Sequence, residues 1–246
     1  MKKPAIIIGR QPVIEAITSG RAIDKILFQH QVSGSSIGEL RKLAKQFHIP
    51  IQQVPPEKMH TLTRANHQGV IAISSLIRYY ELQEVIDFVV SSGQTPLFIM
   101  LDGITDVRNI GAIARSAVCC GAQAILIPDK GTGALNEEAI KSSAGALEKI
   151  HICRVGSLLK AVDTLHANGI TVYTSGMKAD SKLFALDFSL PVCIILGSED
   201  NGVAPHLEKA ADAKFRIPMT DSFDSFNVSV AAGIILFEAF RQRDLA

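Results

Sequence analysis

The sequence predicts an α/β protein in two parts: a small α/β domain over residues 1–78, then a larger one over 79–246 built on a mostly parallel sheet. Three observations lead there. Short runs rich in Ile, Val and Leu alternate with amphipathic stretches along most of the chain, the pattern of strands buried between helices. At 246 residues, 47% of them hydrophobic, there is enough chain for two cores. Charge is also divided, because residues 1–78 carry eleven Lys/Arg against four Asp/Glu, a net of +7, and the remainder a net of −6. Such asymmetry marks either a segment suited to a polyanion or a plain solvated basic surface.

In the first part, residues 5–8 form a strand-like apolar run, and 12–18 a short helix closed by Gly20. Residues 25–28 follow as a strand, then 36–47 as a helix with Ser36 as its N-cap. A strand at 51–54, a helical turn at 56–62 and a strand at 69–74 complete a βαβαβαβ alternation. Residues 79–92 read as one helix, ended by Ser91-Ser92-Gly93. The second part then alternates strands at 97–101, 124–127, 150–153, 170–174, 192–196 and 213–217 with helices at 110–120, 136–142, 157–168, 205–211 and 227–243.

Several classes are disfavoured. Only four apolar residues precede Gly9-Arg10 and no run approaches a membrane span, so the expected address is the cytoplasm. Cys119, Cys120, Cys153 and Cys193 have no metal or redox spacing and read as small buried apolar residues; the histidines are scattered, and no metal is expected. Gly131-x-Gly133-x-x-Asn136 has asparagine where a dinucleotide fingerprint needs its third glycine, which argues against an oxidoreductase and for a surface loop.

Ligands of open parallel sheets bind outside the carboxyl ends of the strands, so post-strand segments are where chemistry is sought. Three of them, at 101–117, 196–203 and 217–233, are unusual. Asn109 is placed to cap the following helix, and Arg115 is the only charge within 110–121. That arginine reads as a functional cation or as a solvated edge. Glu199 lies between two glycines and is either a site acid or an exposed turn residue; Ser225 and Asn227 open the last helix as ligand contacts or as ordinary caps.

Together these segments resemble the SpoU/TrmH family of ribose 2′-O-methyltransferases, in the SPOUT superfamily. Asn109-x-Gly111-x-x-x-Arg115 is similar to its first motif, Gly197-x-Glu199-x-x-Gly202 to its second, and Ile217-Pro218-Met219 with Ser225-Phe226-Asn227-Val228-Ser229 to its third. Ser143-Ala144-Gly145-Ala146 matches another family segment, and His67-Gln68-Gly69-Val70 resembles the end of the substrate-binding domain of members with an N-terminal extension. Val107 stands where the family usually has proline, and Phe226 where it has leucine.

The resemblance implies a SPOUT-type catalytic domain with a C-terminal trefoil knot, S-adenosylmethionine as cofactor and a homodimer whose sites draw residues from both subunits. It implies a cofactor slot at Leu196, Gly197, Ile217, Met219 and Phe226, with Thr174, Ser175 and Gly176 nearby. Arg115 takes the place of the family arginine proposed as general base, a role that a guanidinium with a pKa above about 12 fills less readily than stabilising an alkoxide or holding a phosphate. Asn109 and Glu199 then orient Arg115 and the ribose, and Ser225 and Asn227 complete the site. Ribosomal RNA, at a guanosine of the large subunit, is the first expectation for substrate and transfer RNA the second. A non-catalytic RNA-binding protein is the reading from another class, and the intact Asn109, Arg115, Glu199 and Asn227 speak against it.

The charge division predicts that RNA affinity resides in residues 1–78. Four or five phosphate contacts give a slope of log affinity against log salt of about −3 to −4. Titration of labelled RNA at several salt concentrations should show that slope for the whole chain and a flatter, weaker response for residues 79–246 alone. Equal affinities and slopes would place RNA binding elsewhere.

Overall fold

The structure is a computed structural model that describes residues 5–133, 135–176, 179–220 and 225–244. The chain divides into two compact units, Met1–Arg78 with residues 134–136, and Tyr79–Gly133 with Glu137–Ala246.

The first unit runs β1 (Ile6–Ile8), α1 (Arg10–Thr18), β2 (Ile23–Gln29), α2 (Ser35–Gln46), β3 (Ile51–Val54), α3 (Pro56–Leu62) and β4 (Val70–Ser74). Its sheet has the order β1-β4-β2-β3. β4 lies antiparallel to β1 and β2, while β2 and β3 are parallel. Successive residues of β2 point to opposite faces: Ile26 and Phe28 pack with Val13, Ile17 and Leu40 of α1 and α2, and Leu27 packs with Val54, Met59 and Ile71. Both faces are covered at Ile26-Leu27-Phe28, which is why the strand is continuously apolar there. Gly34 stands at the N-cap of α2, so Ser36 lies in the first turn and does not cap it.

The second unit contains β5 (Tyr79–Tyr80), α4 (Leu82–Ser91), β6 (Leu97–Asp102), α5 (Val107–Cys119), β7 (Ala124–Pro128), α6 (Glu137–Ser142) and β8 (His151–Val155). It continues with α7 (Leu158–Ala167), β9 (Thr171–Ser175), β10 (Ser181–Lys182), β11 (Val192–Gly197), α8 (Pro205–Ala210), β12 (Ala213–Arg216) and α9 (Val228–Asp244). The eight strands are all parallel to their neighbours, in the order β10-β12-β9-β11-β6-β7-β8-β5. Phe98, Met100, Cys193 and Ile195 meet α4, α7 and α8 on one face. The alternate residues Ile99, Leu101, Ile194 and Leu196 are buried on the other, where α9 meets β11 and α5.

The parallel α/β class is as expected, with local corrections. Tyr79 and Tyr80 form a short strand beside β8 before α4, where one continuous helix over 79–92 was expected. Asp106 caps α5 by accepting from Arg108 N at 2.9 Å, which moves the helix start ahead of Asn109 and leaves Asn109 in the first turn. The Arg108 hydrogen bonds also hold the Asp106 carboxyl below its usual range, so the cap is an anion. Cys153 and Cys193 are buried, and burial pushes the Cys153 thiol up to about 12, but Cys119 is exposed and Cys120 half-buried at the end of α5. The expected knot depends on the path of residues 177–178 and 221–224, which lie outside the described residues.

α9 is pinned near its C-terminal end. Arg243 donates to the carbonyls of Phe188 and Leu190 before β11 and of Thr95 and Pro96 before β6, at 2.7–2.9 Å. Arg243→Met leaves these carbonyls without the charged donor and is expected to lower stability by roughly 2–3 kcal/mol, read as a reduced urea midpoint at unchanged m value.

Candidate functional site

Strands β6 and β11 pair in register from Leu97–Val192 through Asp102–Gly197, so their carboxyl ends release two loops at the same level. Asp102 ties these loops together by accepting from Ala204 N at 2.7 Å. The loop after β11 then folds back on itself: Gly202 N donates to Ser198 O at 2.9 Å, and Asn201 N to Ser198 Oγ at 3.2 Å. This turn lies directly over Gly197. A Cβ at that position would stand 2.0 Å from the Gly202 carbonyl carbon, so the second motif requires glycine there for steric reasons. Gly111 answers a similar demand on α5, where a Cβ would meet the Ala139 carbonyl oxygen of α6 at 2.6 Å.

The turn holds Glu199 at the meeting point of three segments. Its Oε1 accepts from Asn227 Nδ2 at 2.6 Å, from Val228 N at 3.3 Å and from Asn109 Nδ2 at 3.4 Å. Asn227 Nδ2 also reaches Asn109 Oδ1 at 3.3 Å, and its own Oδ1 accepts from Ser229 N at 3.0 Å and Ser229 Oγ at 2.6 Å. Asn227 therefore caps α9 and belongs to the polar cluster at the same time.

A cavity of about 600 Å³ opens beside this cluster, within the range of small-molecule sites. Leu196, Ile217, Met219 and Phe226 supply apolar wall, while Ser175, Gly176, Gly197 and Ser225 add small or polar surface. Glu199, Glu208, Lys214 and Arg216 bring charge to the lining, with Lys214 paired to Glu208. An apolar slot beside groups of both signs suits a ligand with a flat base at one end and a zwitterion at the other, which is the chemistry of S-adenosylmethionine.

The structure thus brings together every expected residue except two. Thr174 is fully buried and does not line the cavity; its hydroxyl has no partner among the described residues. Arg115 is exposed on α5, lines no part of the cavity and has no hydrogen-bond partner among the described residues. Glu208, Lys214 and Arg216 were missed, because single charges in a short helix and a strand look like ordinary surface in the sequence. Among the described residues no group of three or more His, Cys, Asp or Glu could hold a metal, and no helix is long and apolar enough to cross a membrane.

Residues 96–237 match the SpoU rRNA Methylase family, and residues 6–80 match the RNA 2′-O ribose methyltransferase substrate-binding domain. The chain is 33% identical over 239 residues to a protein of Staphylococcus saprophyticus assigned to the TrmH family of tRNA/rRNA methyltransferases, covering 97% of this chain and 96% of that one. Among solved structures it resembles an AdoMet-bound rRNA methyltransferase from Sinorhizobium meliloti at 26% identity and a TM-score of 0.61, covering 96% of this chain and 86% of that one. It shares its fold with the SpoU methyltransferase AviRb from Streptomyces viridochromogenes, at 24% identity and a TM-score of 0.63 over 98% and 91% of the two chains.

Gly197→Ala forces the turn at 198–202 to open. The expected loss of stability is roughly 1–3 kcal/mol by urea unfolding, the cost typical of forcing extra volume into a packed site.

Proposed function

Since the chain belongs to the SpoU rRNA methylase family, we propose that it transfers a methyl group from S-adenosylmethionine to a ribose 2′-hydroxyl of RNA, with a guanosine of large-subunit ribosomal RNA as substrate. The observation that carries this reading is the cluster of Asn109, Glu199 and Asn227 at the wall of a cavity with an apolar slot and groups of both charges. The ribosomal choice is supported by the matched family and by the S. meliloti rRNA enzyme, which covers both parts of the chain.

When bound, S-adenosylmethionine supplies an electrophilic methyl group on its sulfonium. The residues of this chain have three tasks. Leu196, Ile217, Met219 and Phe226 would enclose the base, beside the main chain of Gly176 and Gly197. Asn109, Glu199, Ser225 and Asn227 would orient the ribose so that its 2′-oxygen faces the bound cofactor. Arg115 stabilises the developing alkoxide or holds the adjoining phosphate.

Arg115 neither lines the cavity of its own chain nor hydrogen-bonds to the Glu199 cluster. A homodimer resolves the difficulty. α9 exposes Val230, Phe237 and Phe240, with Phe237 62% accessible, and α9 packs against the helix that carries Arg115. Pairing through this apolar surface buries it and lets Arg115 serve the partner's site. Residues 1–78, with net +7, hold the RNA.

Incubation with labelled S-adenosylmethionine and separated ribosomal and transfer RNAs, followed by mass spectrometry of nucleosides, is expected to yield 2′-O-methylguanosine from ribosomal RNA; label confined to transfer RNA would move the substrate there. Arg115→Ala is expected to lower turnover by about 10²-fold or more while leaving cofactor affinity within a few-fold. Light scattering should show a dimer at micromolar concentration, and mixing Arg115→Ala with Glu199→Ala subunits should restore part of the activity. An active monomer, or no recovery on mixing, would put Arg115 outside a shared site.

A further inference from the structure

A second cavity, of about 750 Å³, lies wholly within the first unit, where the loops after β2 and α3 meet the start of α1. Its walls carry Arg10, Arg64 and three histidines, His30, His60 and His67, and no carboxylate. Arg10 donates from Nε to Gln68 O at 3.0 Å, and its terminal nitrogens have no partner among the described residues. Arg64 is exposed and likewise without a partner among them. A concave surface with cations and no compensating acid draws anions to it.

The floor is more selective than charge alone. His67 is 7% exposed, and its Nδ1 accepts from Gly69 N at 3.1 Å. That bond places the ring proton on Nε2, which has no partner among the described residues, so the floor keeps a donor for something that enters the cleft. The ring of His60 meets His67 edge-on, with centroids 5.3 Å apart, and is otherwise exposed. Gln31 and Gln68, both in the walls, have φ of 61° and 49°. Side-chain-bearing residues seldom adopt this left-handed conformation, and its concentration around one cleft is a mark of a built surface.

We propose that this cleft receives one unpaired nucleotide of the RNA substrate. The base stacks on His60, its edge is read by His67 Nε2 and the amides of Gln31 and Asn66, and the flanking phosphates are neutralised by Arg10 and Arg64. This rests on the reading that the first unit holds RNA, and names the element that does so. A base within a helix has its faces stacked and its edge paired, whereas an extruded or single-stranded base offers both to the cleft. Side-chain amides offer both donors and acceptors, as base edges require; an acidic peptide would use the donors alone.

The test uses the full-length protein. His60→Ala and Arg64→Ala alter exposed side chains of the cleft, and Lys45→Ala removes an exposed charge on α2 outside it. Binding to a fluorescent single-stranded RNA of about twelve nucleotides, and to a duplex of equal length, is followed by anisotropy. Each cleft variant is expected to weaken single-strand binding about five- to tenfold and to leave duplex binding unchanged, while Lys45→Ala changes either by less than about threefold. Equal small losses in all three variants, or equal losses on duplex and single strand, would overturn the proposal. Crosslinking the wild-type protein to the same RNA carrying 4-thiouridine separates the two levels of inference. Crosslinks within 29–32 or 60–69 support the cleft, and crosslinks elsewhere in 1–78 remove the cleft but keep the first unit as the RNA-binding element. Crosslinks confined to 79–246 remove both.

Discussion

Glu199 Oε1 accepts hydrogen bonds from α5 and α9, through residues 90 positions before it and 28 and 29 after it. A carboxylate that gathers amides from two distant segments tolerates little displacement of either, and the rest of the second unit is arranged to prevent it. The turn over Gly197 fixes the acid, and the packing of Gly111 against α6 fixes the helix that carries Asn109. α9 is held at both ends, by Asn227 and Glu199 at its start and by Arg243 near its finish. With 17 residues it spans about 25 Å, so an error at the pinned end would be felt at the site.

The parallel sheet, most helices and the residues around Glu199 were legible in the sequence because each had a strong local cause. Strands buried on both faces must be apolar throughout, and a turn stacked on Gly197 admits no other residue. What escaped was decided by competition or by long-range contact. Asp106 and Asn109 are both good caps three residues apart, and only the pairing of Asp106 with Arg108 N settles where α5 begins. Tyr79 and Tyr80 join the sheet through β8, more than seventy residues away, so no local pattern distinguishes them from the helix that follows. Lys214 and Glu208 look like surface charges until the fold puts them beside Gly176.

The two units divide their work along the charge boundary. A net of −6 after residue 78 gives the second unit no general attraction for a polyanion, whereas +7 before it gives the first unit that attraction. On the proposed function, the first unit raises the local concentration of RNA at a cavity that would otherwise meet it rarely.

The pairing of β6 with β11 also orders events during synthesis. β6 begins at Leu97 and can pair with β7, and β7 with β8, as soon as they emerge, but the other neighbour of β6 begins at Val192, and Asn227 follows later still. Long-range parallel pairing of this kind forms late, after a large loop has closed. On the proposed function, a nascent chain has its RNA-holding unit folded well before its methyl-transfer site exists, so RNA captured during translation would meet an inactive protein until α9 has emerged and docked.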